Sequence, residues 1–398
     1  MGKGGWVRVL FLNQYFPPDA APTGILLKEI ADELVAGGHE VVFASSGQEY
    51  REGQKRGGRM RRELEGLWRL FRAALGAGKV DAVVSATSPP LLVLIGAMVA
   101  RLRGARHYHW LFDMYPELAT ALGEIPDGRT ARMFAMGTRW AYRKADCVVA
   151  LDEDMAGRLN AGGPGGLGRV RVRIIPPWVF ASLLKAREGE RLEMAKGGEE
   201  AVWLYSGNLG RAHEWRTLLD AQGLLEAAGA RWRLVFQGGG PSWPLAQEYA
   251  QRMGLTRCEW KGYVPEEELP GALLAADVLV VTQKPETCGL LWPSKLALVT
   301  ALPRPILWVG PTDRAIAREL KGMPQAGVFA PGDADGVAKW LEGRGLSGEC
   351  GYRDPVAIRA AGLREWVEMV TLGAGADDSR EPSRGLSASR RDGTIPAN

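Results

Sequence analysis

Short apolar runs alternate along the chain with longer segments whose apolar positions recur every three or four residues. The runs VRVLFLN (7–13), EVVFAS (40–45), VDAVVSAT (80–87), HYHWLFD (107–113), DCVVALD (146–152) and VRIIPP (172–177) are separated by helix-period segments at 24–36, near 59–77, at 90–103 and near 129–144. Apolar strands between amphipathic helices predict a parallel sheet covered on both faces. Residues 181–200 are charged and lose the pattern. It restarts with AVWLYSG (201–207), RWRLVFQG (231–238), CEWKGYV (258–264), DVLVVTQ (277–283), PILWVG (305–310) and AGVFAP (326–331), with helices expected at 214–229, 243–254, 266–275 and 312–321. The reading is α/β: two doubly wound, Rossmann-like domains over 1–180 and 201–354, a linker at 181–200, and a last helix at 355–372 free to cross back to the first domain. Residues 373–398 hold almost no large apolar side chain and are expected to be disordered, because they bury too little to offset ordering entropy.

Composition narrows the class. At 398 residues, 46% hydrophobic and 24% charged, the chain has material for two cores. A net charge of +4 is too small for a nucleic-acid scaffold, although residues 1–180 carry 24 basic against 18 acidic side chains. Cys147, Cys258, Cys288 and Cys350 stand far apart, which argues against a disulfide framework or structural zinc and fits a reducing cytoplasm. No secretory signal pattern opens the chain. The long uncharged stretch at 82–100 is interrupted by Ser85, Thr87, Ser88, Pro89 and Pro90, so it reads as strand, turn and buried helix rather than a membrane span.

Three strand-end loops carry candidate chemistry. Asn13-Gln-Tyr-Phe-Pro-Pro-Asp-Ala-Ala-Pro-Thr-Gly24 precedes an amphipathic helix, where backbone N–H groups and the helix dipole can meet an anion. In Tyr205-Ser-Gly-Asn-Leu-Gly-Arg-Ala-His-Glu-Trp215 a strand passes through Gly207, Asn208 and Gly210 into a helix, with Arg211 and His213 as added cationic donors, a cradle suited to a diphosphate. Gln237-Gly-Gly-Gly-Pro241, with Gly239 at its centre, ends the next strand on the same side. In Pro285-Glu-Thr-Cys-Gly-Leu-Leu-Trp-Pro-Ser-Lys295, Pro293 is expected to start a helix and Ser294 to cap it. Lys295 then lies in the first turn, against the dipole, which suggests an anion there. The bland alternatives are a capped loop, a surface arginine and a solvated lysine.

The ordered set FPP…PTG, SPP, DMYPE, IPPW, YSGNLGRAHEW, QGGG, GYVP, E…CGL…PSKL and RPIL resembles the retaining nucleotide-sugar glycosyltransferases of family 4, with the GT-B fold, and within them the bacterial O-antigen and capsule enzymes resembling fucosaminyltransferases. The resemblance spans about residues 6–370. It implies an interdomain cleft, a nucleotide-diphosphate-sugar donor held mostly by the second domain, and an acceptor approached from the first. By position, Gly24 would sit near the donor phosphates, Arg211 and Lys295 would be the diphosphate cations, Val264 would meet the base through its backbone, and Glu286 would face the transferred sugar. Asn208 stands where much of the family has Arg, His213 where it has Lys, and Leu298 at the position of a second glutamate.

Asp113, at the end of the strand 107–113 in Asp113-Met-Tyr-Pro-Glu117, reads as an acceptor or sugar contact supported by Glu117, or as a helix cap. His109 reads as a structural histidine. Asp152-Glu-Asp154 imitates a metal-binding DxD, but Asp152 as an N-cap with acids in the first turn explains it, so no metal is expected. Residues 51–79 carry nine Lys/Arg against three acids, with Leu64, Leu67, Trp68, Phe71 and Leu75 at helical spacing. That face suits either anionic inner-membrane lipid or an ordinary core stripe. The expected activity is metal-independent, cofactor-free transfer of a sugar to a polyprenyl-diphosphate-linked glycan in surface-polysaccharide synthesis, on the cytoplasmic side and without a nucleic-acid partner. A nucleotide-sugar epimerase of the same fold and a non-catalytic nucleotide-sugar-binding subunit are the alternatives.

Overall fold

The computed structural model describes residues 5–18, 21–46, 59–161, 170–184, 200–343 and 352–373; for 59–64 it describes the backbone alone. Most of the expected 181–200 linker, the residues 51–58 of the basic stretch and the expected tail beyond 373 lie outside the described residues.

Two six-stranded, all-parallel sheets form the frame. The first comprises β1 (Arg8–Leu12), β2 (Glu40–Ala44), β3 (Ala82–Ser85), β4 (Arg106–Trp110), β5 (Cys147–Ala150) and β6 (Val172–Ile174), in the order β2-β1-β3-β4-β5-β6. The second comprises β7 (Ala201–Asn208), β8 (Trp232–Gly239), β9 (Cys258–Lys261), β10 (Val278–Thr282), β11 (Ile306–Val309) and β12 (Ala326–Phe329), in the order β12-β11-β10-β7-β8-β9. Strands β3, β5, β10 and β11 are buried at every position, as sheets covered on both faces require. The order reverses between β1 and β3 in one sheet and between β7 and β10 in the other, and a crevice opens at such a switch point beyond the strand C-termini.

In the first half the helices are α1 (Pro22–Ala36), α2 (Arg59–Gly76), α3 (Leu92–Arg103), α4 (Glu117–Ala121), α5 (Arg129–Lys144) and α6 (Glu153–Asn160). In the second they are α7 (Arg216–Ala227), α8 (Trp243–Arg252), α9 (Leu269–Leu274), α10 (Lys295–Thr300), α11 (Ala315–Lys321), α12 (Ala334–Glu342) and α13 (Pro355–Leu372). Among the described residues no helix is long and apolar enough to cross a membrane.

The last helix returns to the first sheet. Trp366 of α13 is fully buried in the first core and lies 5.0 Å, centre to centre, from Trp110 at the end of β4; Trp178 packs against the same ring at 5.4 Å, tilted by 35°. Glu29 of α1 fastens this crossing, accepting from Trp178 Nε1 (2.8 Å), the Ala181 amide (2.7 Å) and Arg359 Nε (2.9 Å). One carboxylate thus ties the exit of the first unit to the returning helix.

Two expectations on helix chemistry change. Asp152 does cap α6, accepting from the Met155 amide at 2.8 Å, but Ser294 makes no cap hydrogen bond at α10, and Pro293 precedes that helix instead of starting it. Asp113 caps nothing: α4 has Pro116 at its N-cap. The 51–79 stripe divides. Leu67, Leu70, Phe71 and Ala74 pack into the core, whereas Trp68 remains 60% exposed.

Candidate functional site

The cradle forms at the second switch point. The ends of β7 and β8 run side by side, with Gly207 opposite Gly238 and Asn208 opposite Gly239. A side chain on Gly238 would overlap the Gly207 carbonyl, and one on Gly240 would overlap Asn208 Oδ1 and the Leu209 backbone; both glycines sit at positive φ (132° and 126°). The strand ends can approach this closely only without Cβ atoms, and the approach leaves their backbone open toward the crevice. The ring of Tyr263 borders Gly239, with Val264 half-buried next in the chain.

From the β10 side, the Lys284 amide donates to the Ala212 carbonyl (2.8 Å), which brings the turn 285–287 carrying the exposed Glu286 against the 209–213 turn. Buried Gln283, which the sequence reading passed over, steadies the following loop by donating to the carbonyls of Leu291 (3.1 Å) and Thr287 (3.4 Å).

Lys295, the first residue of α10, extends to this junction. Its Nζ is buried without a hydrogen-bond partner, lies 3.4 Å from the centre of the Tyr205 ring, and is 3.6 Å from where a Gly207 Cβ would stand. Burial holds its ammonium well below the usual lysine range. His213 packs edge-on to Tyr205 (5.8 Å) and makes a 3.1 Å contact from Nδ1 to the Thr282 carbonyl, so the ring is held as the tautomer that donates there. Desolvation, aided by the Lys295 charge, lowers its pKa to about 3; it is neutral at pH 7, with Nε2 as an acceptor and not the cation the sequence suggested. Asn208, Ser294 and Arg211 are exposed at the same crevice, Arg211 directly after Gly210.

The first unit contributes from β1, β3 and β4. Gly24 lies within the first turn of α1, and a Cβ there would overlap the Tyr15 carbonyl, so close packing of the helix start on the 13–16 loop already accounts for the glycine. Asn13 Nδ2 donates to that same carbonyl (2.8 Å). At the end of β4, Thr87 Oγ1 accepts from the Phe112 amide (2.9 Å) and Asp113 forms an antiparallel bridge with Leu291, while the Met114 amide donates to the Leu290 carbonyl (2.7 Å). Asp113 therefore sits against the loop between Glu286 and Lys295, and desolvation raises its carboxyl to about 6. Glu117 pairs with Arg139 (3.3 Å) instead of facing Asp113.

His109 shares Ser85 Oγ with His107, each ring nitrogen 2.9 Å from the hydroxyl, and lines a small pocket with Thr87, Tyr115, Thr138 and Tyr142. Burial lowers both rings, His107 to about 3, so both are neutral and held.

The acidic triplet bridges the two halves. Asp154 Oδ2 accepts from the Ala315 amide at the start of α11 (2.7 Å), Glu153 pairs with Arg318 (2.7 Å), and Arg158 Nε donates to the Cys288 carbonyl (2.7 Å). Among the described residues no group of three or more His, Cys, Asp or Glu side chains is placed to hold a metal ion.

Comparison with known proteins agrees with this frame. Residues 24–178 match the glycosyl transferase 4-like domain. The chain is 24% identical over 287 residues to a probable glycosyltransferase, WbjE, of Pseudomonas aeruginosa, covering 70% of this chain and 71% of that one. Among solved structures, sucrose-phosphate synthase from Thermosynechococcus elongatus superposes with a TM-score of 0.60 at 15% identity, over 92% of this chain and 95% of the other. Anabaena HepE in complex with UDP and glucose gives a TM-score of 0.56 at 14% identity, over 91% and 95%. The chain is thus an α/β protein of the GT-B glycosyltransferase fold whose residues 24–178 match a glycosyl transferase 4-like domain.

Proposed function

We propose that this protein is a retaining, metal-independent glycosyltransferase that moves a sugar from a nucleotide diphosphate to a polyprenyl-diphosphate-linked glycan during surface-polysaccharide synthesis at the cytoplasmic face of a membrane. The observation that carries the reading is Lys295: an ammonium buried without a partner, at the topological switch point, beside strand ends stripped of side chains. Such a cation is poorly accommodated until an anion arrives, and a diphosphate is the anion whose charge grows as the sugar leaves. Arg211, exposed beside Gly210, would join it from solvent, and the backbone of 207–210 and 238–240 would admit the phosphates closely. Glu286 would face the transferred sugar. Asp113, across the cleft and mostly ionised at pH 7 although burial raises its carboxyl to about 6, would meet the acceptor or the sugar.

Support for the donor class comes from HepE, which is described bound to UDP and glucose, and for the setting from the relatives named glycosyltransferases. The engagement of the acids supports metal independence: Asp152 acts as a helix cap and Asp154 accepts from the start of α11. The test is donor turnover with an extracted lipid-linked acceptor. Sugar transfer retained in EDTA supports the reading; donor consumption without acceptor points to an epimerase, and binding without turnover to a non-catalytic subunit.

A further inference from the structure

Helix α5 is amphipathic in an unusual sense. Its inner face is Ala131, Thr138, Ala141 and Tyr142, all buried, while the middle of its outer face carries Met133, Met136 and Trp140, exposed at 57%, 65% and 38%. At 100° per residue these three fall within one narrow solvent-facing stripe, flanked by Arg129, Arg132, Arg143 and Lys144, all exposed. No acid occurs anywhere in 129–144. Next to it α3, which packs on α5, exposes Met98 (45%) and Leu102 (65%) beside Arg101 and likewise contains no acid. Singly exposed apolar residues need no explanation; five on two adjoining helices, edged mostly by cations with Asp127 paired to Arg132 (3.6 Å), do.

We infer that this α5–α3 face is a docking surface for an anionic lipid bilayer. The methionines and Trp140 would enter the headgroup–acyl boundary while the arginines and Lys144 meet lipid phosphates, the arrangement that favours a helix lying in the interface plane. Charge complementarity favours the occupant: with Arg129, Lys144 and Arg101 exposed on it the face is net positive, and an anionic leaflet suits it better than a neutral protein partner. The location suits the chemistry, because α4 packs both on α5 and on the 285–287 turn that carries Glu286, which puts the lipid surface beside the cleft. The value of that position rests on the proposed lipid-linked acceptor; the lipid binding itself does not. It is also distinct from the 51–79 stretch, whose apolar stripe divides between the core (Leu67, Phe71) and solvent (Trp68, Leu75).

The test is sedimentation of the full chain with vesicles of phosphatidylglycerol and phosphatidylcholine, against vesicles of phosphatidylcholine alone, at low and high salt. The wild type should bind the anionic vesicles and release with salt. Met133→Ser/Met136→Ser/Trp140→Ser should reduce binding about tenfold or more, and so should Arg129→Glu/Arg132→Glu, which leaves every apolar residue in place and keeps the test decisive if the serine variant misfolds. Arg69→Glu/Arg72→Glu on α2 should bind as the wild type does. Unchanged binding by the α5 variants, or release by the α2 variant alone, overturns the proposal. Stabilisation by UDP or GDP, measured on the same proteins, reads the donor site separately, so failure of the glycosyltransferase reading shows there and not in the vesicles.

Discussion

The ammonium of Lys295 stands on the face of the Tyr205 ring, 3.4 Å from its centre, and meets no hydrogen-bond acceptor. The ring's negative face offsets part of the lost hydration, but three donors stay unmet and the charge lies at the positive end of a helix. A cation placed so unfavourably supports the proposed anion site.

The first expected outcome follows from that cost. The folded pKa of Lys295 is depressed below its unfolded value, so the unfolded chain binds more protons between the two and stability rises with pH across that window. At neutral pH the group is a burden, and Lys295→Met should stabilise the ligand-free protein by about 1 kcal/mol, the unmet-donor penalty less the cation–π term. Urea unfolding with and without the substitution checks it; destabilisation of that size would mean the ammonium has a partner.

Gly238→Ala and Gly240→Ala should each destabilise by about 1–3 kcal/mol, since both force a Cβ into backbone at positive φ. Because the displaced atoms are the floor of the cradle, nucleoside diphosphate affinity should fall with them. Calorimetric titration checks the second part, and unchanged affinity would place the phosphates elsewhere.

The carboxyl of Asp113, raised to about 6, gains its charge between pH 5 and 7. If the carboxylate is the working form, kcat/KM should climb through pH 6, and Asp113→Asn should lower the rate and remove that limb. The folded state holds this proton more tightly than the unfolded one, so stability from this group falls as pH rises from about 4 to about 6. The asparagine variant should therefore be at least as stable as the parent at pH 7, which denaturation at pH 5 and pH 7 would show.

Asp154→Ala removes the acceptor of the Ala315 amide, and Arg158→Ala removes the donor to the Cys288 carbonyl. Each should cost about 1 kcal/mol. Neither should create or abolish a metal requirement: residual transfer should be equally insensitive to EDTA in parent and variants. Loss on chelation, restored by Mg²⁺ or Mn²⁺, would show that the acidic triplet was misread.

Both sheets are legible because buried parallel strands are apolar runs, and the close approach of the β7 and β8 ends because glycines at strand ends signal it. Helix α12 was missed: Asp333 caps it and Val337, Ala338 and Leu341 give it an inner face, but its nine residues sit among glycines and acids that read as loop. Gln283 and Thr87 gave no signal, since their work is hydrogen bonding to backbone distant in sequence. In sequence His213 reads as a donor beside Arg211; its desolvation depends on Tyr205 and Lys295 closing over it, which no local pattern encodes. The face of α5 escaped because its apolar stripe has core periodicity, and only the packed helix shows which side meets solvent.

The most direct test is thermal unfolding with UDP and with GDP, on the wild type and on Lys295→Met. A ligand that binds the folded state alone stabilises it by RT ln(1 + [L]/Kd), about 2.7 kcal/mol at a hundredfold excess over Kd. The account predicts a clear rise for the wild type with one of the two nucleotides and little or none for the variant, although the variant starts higher. Equal rises in both proteins, or none in the wild type with either nucleotide, would contradict it.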